Sequence, residues 1–156
     1  MFKKIALATA GLAVAASAVF AASHADPAIA GAVKARQSHM QLYAHNLGIL
    51  GNMAQGKTEY DAVAAAAAAD NLEALSLLSQ AGYWPMESDA MSIEGTRALP
   101  ALWEDMGAVS EKSGALVEAA QAMAAVAGTD LTALQGAMGA LGGACGGCHK
   151  AFRQSQ

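Results

Sequence analysis

A Cys-Gly-Gly-Cys-His run at residues 145–149 constrains this chain more than any other feature. On a helix, positions three apart project from nearly the same side, so the thiols of Cys145 and Cys148 can reach one edge of a planar group. C-x-x-C-H is the attachment signature of c-type haem, in which two thiols bond to the haem vinyl groups. His149 follows at once and can bind the iron through a ring nitrogen. The motif therefore predicts one covalent haem c.

Other uses of two cysteines fit less well. A disulfide between Cys145 and Cys148 would close too short a loop to restrain the unfolded chain much. Structural zinc normally needs four nitrogen or sulfur ligands, and the chain has no second cysteine pair. A thioredoxin-like pair would accompany a βαβ pattern, which is not visible, so a redox dithiol remains the minor alternative.

The N-terminus reads as a secretory signal peptide. Met1-Phe-Lys-Lys is followed by an apolar run from Ile5 to about Ala22 and then by Ser23-His24-Ala25. This pattern predicts cleavage after Ala25, a signal peptide over 1–25 and one domain over 26–156. An uncleaved anchor is the alternative, because the run approaches the length of a membrane span. No later segment is apolar enough to span. Export would place haem attachment in the periplasm.

Charge excludes one class of partner. The formal net charge is −4, and it becomes −6 when Lys3 and Lys4 are removed with the signal peptide. The remaining basic residues are scattered, without the patch that tracks phosphates, so nucleic-acid binding is not expected. A negative surface suits a basic redox partner. No Ser/His/Asp set, paired carboxylates or phosphate loop indicates an enzyme.

The mature chain reads as helix nearly throughout, which predicts an all-α fold. Four helices are expected over about 27–54, 58–80, 99–127 and 130–152, with Thr58 capping the second and an irregular connection over 81–98. Tyr83 and Trp84 in that connection are expected to cover the core. Inward stripes are predicted on the first and last helices. They comprise Ile29, Val33, Arg36, Met40, Tyr43, Leu47, Leu50 and Ala54, and then Leu134, Met138, Leu141, Cys145, Cys148 and Phe152.

Four glycines crowd the motif, at positions 142, 143, 146 and 147. Each costs a helix about 1 kcal/mol relative to alanine. A flat macrocycle lying close to the backbone would explain small residues there. We therefore expect the last helix to fray without haem.

Taken together, the chain resembles the class II c-type cytochromes, meaning cytochrome c′ and its low-spin relatives. The resemblance covers essentially the whole mature chain. It rests on residues 35–40 (ARQSHM), 52–57 (NMAQGK), 101–103 (ALW) and, most specifically, 142–153 (GGACGGCHKAFR). It implies an antiparallel up-down four-helix bundle with haem on the C-terminal helix.

The resemblance also implies roles for individual residues. Arg36 and Gln37 match positions that approach the haem propionates or the proximal side, and Arg153 matches a basic residue that flanks the proximal face. Gly95 and Thr96 resemble the loop that meets the haem edge. Several members pair as homodimers through the first two helices. The first helix carries the small residues Ala44, Gly48 and Gly51. They would allow the helices of two subunits to cross closely, or they could serve the internal core.

The sixth iron position decides the function. Met40 lies one turn after Arg36 on the same face. In low-spin members of the family a methionine there binds iron, whereas in cytochromes c′ the iron stays five-coordinate. A bound Met40 would suit one-electron transfer, and an open site would suit nitric oxide or carbon monoxide. His39 and His45 are rival ligands that we expect at the surface instead.

Overall fold

The computed structural model describes residues 26–155, which form five helices. The predicted signal peptide lies outside the described residues. The helices are α1 (Pro27–Ala54), α2 (Ala62–Leu77), α3 (Ala101–Glu104), α4 (Met106–Val126) and α5 (Leu131–Phe152). Within this range the only β pairing is an isolated bridge between Ala98 and Arg153. The all-α prediction is confirmed.

The four long helices form a ring in which each packs on two neighbours. α1 contacts α2 and α5, and α4 contacts the same two helices. Long-range hydrogen bonds give the directions: Gln135 at the start of α5 donates to the carbonyl of Ala54 at the end of α1. Tyr60, just before α2, donates to the carbonyl of Ala127 at the end of α4. Neighbours are therefore antiparallel, as in an up-down four-helix bundle.

Each long helix begins at an aspartate whose carboxylate accepts hydrogen bonds from backbone N–H groups of the first turn. The four caps are Asp26, Asp61, Asp105 and Asp130. The first backbone N–H groups of a helix have no acceptor inside the helix, and a capping aspartate accepts hydrogen bonds from one or two of them. The expectation that Thr58 caps α2 was wrong. The chain turns at Gly56, whose φ is +69°, and stays irregular until Asp61 accepts from Val63 and Ala64.

The prediction of one continuous third helix was also wrong. The backbone leaves helical geometry at Asp105, with φ −133° and ψ 71°, so α3 ends there and α4 begins. The Asp105 carboxylate then accepts from the N–H of Ala108 at 2.9 Å. An aspartate that can cap a new helix competes with continuation of the old one.

The core runs the length of the bundle, and no residue of either predicted inward stripe is exposed. Leu50, Leu72, Met123, Leu134 and Leu141 are its largest fully buried side chains. A second row of α1, which the sequence pattern did not predict, is also buried: His39, Asn46 and Met53.

The alanine run of α2 permits close packing against α4. Ala65, Ala68 and Ala69 are at most 2% exposed. A Cβ on Gly128 would lie 3.0 Å from the Cβ of Ala66, so the end of α4 approaches α2 too closely for a side chain.

Over residues 26–155, no helix combines the length and apolarity that crossing a bilayer requires.

Candidate functional site

The motif residues lie on the last turns of α5. Cys145, Cys148 and His149 are all partly buried, and both thiols are free. Burial raises the pKa of the Cys145 thiol, and the neighbouring Cys148 raises it further. Burial also raises the pKa of Cys148, although Lys112 of α4 opposes this. Both sulfurs lie unpaired on one helix face, from which they can form thioether bonds to the two vinyl groups.

The imidazole of His149 lies among cations. Burial lowers its pKa, and the positive charges of Arg153 and Arg97 lower it further. All three effects disfavour the imidazolium. The neutral ring keeps a nitrogen lone pair, which is the form that binds iron.

The helix surface around the motif has room for a large planar group. Gly142, Gly143, Gly146 and Gly147 are exposed, and a Cβ built on any of them meets no described atom within 4 Å. Packing against other parts of the bundle therefore does not explain these glycines. Two thiols and an imidazole next to an open backbone face fit a covalently attached haem c.

Arg36 is the most extensively hydrogen-bonded side chain near this end of the bundle. It is 3% exposed. Nη1 donates to Ser88 Oγ at 2.7 Å and to the Tyr83 carbonyl at 3.3 Å. Nη2 donates to Thr96 Oγ1 at 2.7 Å and to the Ser88 carbonyl. The terminal N–H groups of Arg36 thus bind the 83–96 connection, which leaves its Nε–H as the remaining donor.

Two tryptophans lie against the same guanidinium. Its central carbon lies 4.7 Å from the ring centroid of Trp84 and 5.9 Å from that of Trp103. Trp103 Nε1 donates to the Trp84 carbonyl at 3.1 Å. Burial lowers the pKa of Arg36, and Asp89 opposes this. Tyr83 and Trp84 were expected to cover the core; both are partly buried, but Trp84 lies against Arg36 and Trp103, and Tyr83 lies against His39.

Gln37 and the predicted edge loop lie together. Gln37 Nε2 donates to the carbonyl of Gly95 at 2.7 Å, and Gly95 has φ +85°, a backbone conformation that glycine adopts at little cost. Thr96 is buried and bonded to Arg36. The structure therefore brings Arg36, Gln37, Gly95 and Thr96 into one cluster.

The C-terminal end of α5 is joined to the stretch that follows this loop. Leu99 N–H donates to the Phe152 carbonyl, and Gln154 N–H donates to the Arg97 carbonyl, both at 2.9 Å. Arg97 Nη2 adds a bond to the Gln154 carbonyl at 2.6 Å. We call this set of bonds the C-terminal clasp. It holds Arg153 and Arg97 next to each other at the end of the motif helix.

Met40 is partly buried and packs against the central core. The two histidines near it, His39 and His45, differ in exposure. His45 is exposed, as expected. The expectation that His39 is a surface group was wrong, because it is 3% exposed. Its Nε2 donates to the carbonyl of Leu75 in α2 at 3.1 Å. α1 and α2 pack closely enough to cover this position, which a single inward stripe did not reveal.

His39 stacks on Tyr43, with ring centroids 4.9 Å apart. Within the described residues, His39 Nδ1 and the Tyr43 hydroxyl are buried without a hydrogen-bond partner. Burial, with a smaller contribution from Cys145, raises the pKa of Tyr43 to about 12. The tyrosine hydroxyl is thus a buried donor on the side of α1 that approaches the motif helix. Nothing in the sequence pattern distinguished Tyr43 from an ordinary core aromatic.

The small residues proposed for a dimer surface divide into two groups. Gly51 is buried, and a Cβ there would lie 3.8 Å from Met138 Cε, so it serves the internal core. Ala44 and Gly48 are exposed, with Leu42 beside them 52% exposed.

Comparisons with known proteins agree with this geometry. The family model described as Cytochrome C' matches residues 31–153. Cytochrome c-554 of Cereibacter sphaeroides is 43% identical over 122 residues, which are 78% of this chain and 80% of that protein.

Solved structures agree as well. Cytochrome c′ from Rhodobacter spheriodes has a TM-score of 0.80 and 34% identity, covering 82% of this chain and 98% of the other. A ferrous variant of cytochrome c′ from Alcaligenes xylosoxidans with bound NO has a TM-score of 0.70 and 31% identity, covering 82% and 97%.

The family carries covalent haem c, and Cys145 and Cys148 supply its cysteine pair. The chain is a class II c-type cytochrome and belongs to the cytochrome c′ family.

Proposed function

We propose that this chain is a periplasmic electron carrier whose single haem iron is ligated by His149 and Met40. Haem c supplies a one-electron couple, and Met/His ligation raises its reduction potential. Cys145 and Cys148 hold the group, and His149 binds from α5 as a neutral imidazole. Met40 approaches from α1 and excludes outside ligands.

The observation that carries this proposal is the position of Met40. It projects from α1 toward the core, into which α5 also projects Leu141. α1 and α5 are direct neighbours in the bundle. A thioether on one helix and an imidazole on the adjacent antiparallel helix can lie on opposite faces of one planar group.

The cluster around the 83–96 connection would hold the edge of the haem. Arg36 and Gln37 lie one after the other on α1 and bind Thr96 and Gly95 of that connection. We propose that the remaining N–H of Arg36, together with Gln37, binds the propionates, and that Arg153 flanks the proximal face.

The test compares Met40→Leu with Met138→Leu, a change at another partly buried methionine that packs against the same core. Optical spectra of the oxidised and reduced holoprotein are recorded with and without carbon monoxide. We expect the original protein and Met138→Leu to show low-spin spectra, a sulfur-to-iron charge-transfer band and no carbon monoxide shift. Met40→Leu should become high-spin and bind the gas. Carbon monoxide binding by the original protein would contradict Met40 ligation.

A five-coordinate gas binder is the second candidate function. The NO-bound relative from Alcaligenes xylosoxidans, with which this chain shares its fold over 82% of its length, supports it. Under this alternative Met40 fills apolar space above an open iron site, which suits neutral nitric oxide or carbon monoxide. The spectra described above distinguish the two functions.

We also propose a homodimer that packs through the outer faces of α1 and α2. Ala44 and Gly48 leave a flat surface, and Leu42 and Leu77 are more than half exposed. Sedimentation of the holoprotein tests this. A single monomer species at micromolar concentration would contradict it.

A further inference from the structure

One buried hydroxyl between α1 and α5 has no hydrogen-bond partner among the described residues. Tyr43 is 7% exposed, and its phenol oxygen is buried. Folded proteins pair nearly all buried O–H groups, because an unpaired donor has lost its bonds to water and gained nothing in return. The Tyr43 hydroxyl is therefore expected to donate to a group that the bundle encloses.

The neighbouring imidazole is not that group. His39 Nε2 donates to the carbonyl of Leu75, so its Nδ1 carries a lone pair that could accept. However, the rings of Tyr43 and His39 are stacked, with centroids 4.9 Å apart and planes 29° from parallel. A stacked phenol directs its O–H alongside the imidazole plane and not at a nitrogen in the ring edge. Both atoms remain without a partner, so they are not bonded to each other.

The direction of the Tyr43 ring places its hydroxyl near Met40. Side chains on a helix lean toward its N-terminus, over the preceding turn. Stacking on His39, four residues earlier, shows that Tyr43 does so. Its ring therefore lies beside the turn that carries Met40, which packs against the same core. From the other side, the charge of Cys145 on α5 acts on this hydroxyl.

Arg36, Met40 and Tyr43 form one row on α1. They are spaced by four and then three residues, so they share a face of the helix. The row spans seven residues, or about 10.5 Å along the helix axis. In the proposed function Arg36 binds the propionates at one end of the row, and Met40 lies over the iron. Tyr43 is at the other end and leans back toward Met40, so the propionates are not its acceptor.

We infer that the Tyr43 hydroxyl donates a hydrogen bond to the sixth ligand of the haem iron. The inference rests on the proposed function, in which that ligand is the thioether sulfur of Met40. Thioether sulfur accepts hydrogen bonds weakly, and bonds to a metal ligand tune the metal. The positive end of the O–H dipole points toward the iron and disfavours the extra positive charge of the ferric state. Tyr43 is thus a positioning residue that raises the reduction potential through Met40.

The first test compares the reduction potentials of Tyr43→Phe and the original holoprotein. Loss of the hydrogen bond should favour the ferric form about fivefold. This corresponds to a potential lower by about 40 mV, at 59 mV for each factor of ten. The sulfur-to-iron charge-transfer band should shift as well. An unchanged potential and an unchanged band would overturn the inference and would leave a buried water as the partner of the hydroxyl.

Tyr60→Phe is the matched control. The Tyr60 hydroxyl donates to the carbonyl of Ala127 at the end of the bundle opposite the motif. This change also removes one phenol hydrogen bond and should cost stability, but it should leave the potential and the band unchanged. Equal shifts in the two variants would overturn the inference, because a general loss of stability would then account for both.

A second test does not depend on whether Met40 binds iron. In Met40→Leu the sixth position is open to carbon monoxide, and the Tyr43 hydroxyl would donate to the bound gas. Adding Tyr43→Phe to this variant should raise the C–O stretching frequency and release the gas severalfold faster. Equal frequencies and equal rates would overturn the inference.

The same comparison separates the two proposals. Carbon monoxide binding by the original protein would show that Met40 ligation has failed. Tyr43→Phe alone is then compared with the original protein in their carbon monoxide complexes. A shift in the C–O frequency there would support the role of Tyr43 even though Met40 is not a ligand, and no shift would overturn that role separately.

Discussion

The guanidinium of Arg36 stacks on the indole of Trp84, 4.7 Å from the ring centroid, while its terminal nitrogens bind three residues of the same connection. The stacking and the hydrogen bonds act on a segment that has no regular secondary structure of its own between α2 and α3. Arg36 therefore makes most of the side-chain hydrogen bonds that hold the 83–96 connection against α1, and Gln37 adds one to Gly95.

Replacing Arg36 by lysine should destabilise the holoprotein by about 3 kcal/mol, because an ammonium cannot reach all four acceptors and leaves buried oxygens without donors. Urea unfolding measures this. Lys34→Arg, at an exposed position two residues earlier, is the control and should change stability by less than about 0.5 kcal/mol. Limited proteolysis should cut the Arg36→Lys variant within 83–96 before it cuts elsewhere. Unchanged stability would contradict the role assigned to Arg36.

The open face of α5 gives a prediction about glycine. In the apoprotein Gly142→Ala and Gly136→Ala should each stabilise α5 by about 1 kcal/mol, since both positions are helical and a Cβ meets no described atom. In the holoprotein only Gly136→Ala should do so, because Gly142 lies one turn before the cysteines and its space would be filled by haem. Unfolding of both forms checks this. An equal gain from Gly142→Ala with haem attached would show that haem does not cover that position.

Removal of haem should loosen the same helix. Replacing both Cys145 and Cys148 by serine prevents the covalent links to haem. Mass spectrometry then shows the mass of the polypeptide alone. Hydrogen exchange over 142–149 should become at least tenfold faster than in the holoprotein, because four glycines weaken this turn by about 4 kcal/mol relative to alanine. Exchange over Ala62–Leu77 should change less. Equal protection of 142–149 in the two forms would contradict the prediction.

The buried hydroxyl of Tyr43 predicts a loss of stability in alkali. Its pKa is raised to about 12, so the folded state holds this proton more tightly than the unfolded chain, whose tyrosines ionise near pH 10. The stabilisation is complete below about pH 10 and is lost as the pH rises toward about 12. Between about pH 9 and 11.5 the original protein should lose about 2 kcal/mol relative to Tyr43→Phe. Parallel unfolding curves for the two proteins over this range would contradict the assignment.

The boundary between α3 and α4 depends on one cap. Asp105→Ala should destabilise the protein by about 1 kcal/mol, because the Ala108 N–H loses its acceptor, whereas Asp105→Asn keeps an acceptor and should cost less. Thermal unfolding distinguishes the three proteins. Equal destabilisation by the two changes would indicate that the negative charge, rather than the hydrogen bond, matters at this position.

Much of the fold could be predicted from the spacing of apolar residues. The stripes on α1 and α5 follow a helical period that depends only on local geometry, and every residue of both is buried or partly buried, as expected. The C-x-x-C-H motif is equally local, so the positions of Cys145, Cys148 and His149 on one helix followed directly.

The errors arose where one residue had two possible roles. Asp105 reads as a polar residue within a helix, yet it caps a new one. His39 reads as a surface histidine, yet the packing of α2 buries it against Leu75. The partners of Arg36 are about 50 residues away along the chain, and only the folded connection brings them to its guanidinium. Spacing within one helix carries no information about such contacts.

The C-terminal clasp fixes the register of the helix that carries the motif. Two helices that meet only through apolar side chains can slide past each other by one turn, about 5.4 Å, and still bury similar surfaces. The bonds from Leu99 to Phe152 and between Arg97 and Gln154 allow no such slip. The height of His149 along the bundle axis, relative to the connection that Arg36 holds, is therefore set by the backbone.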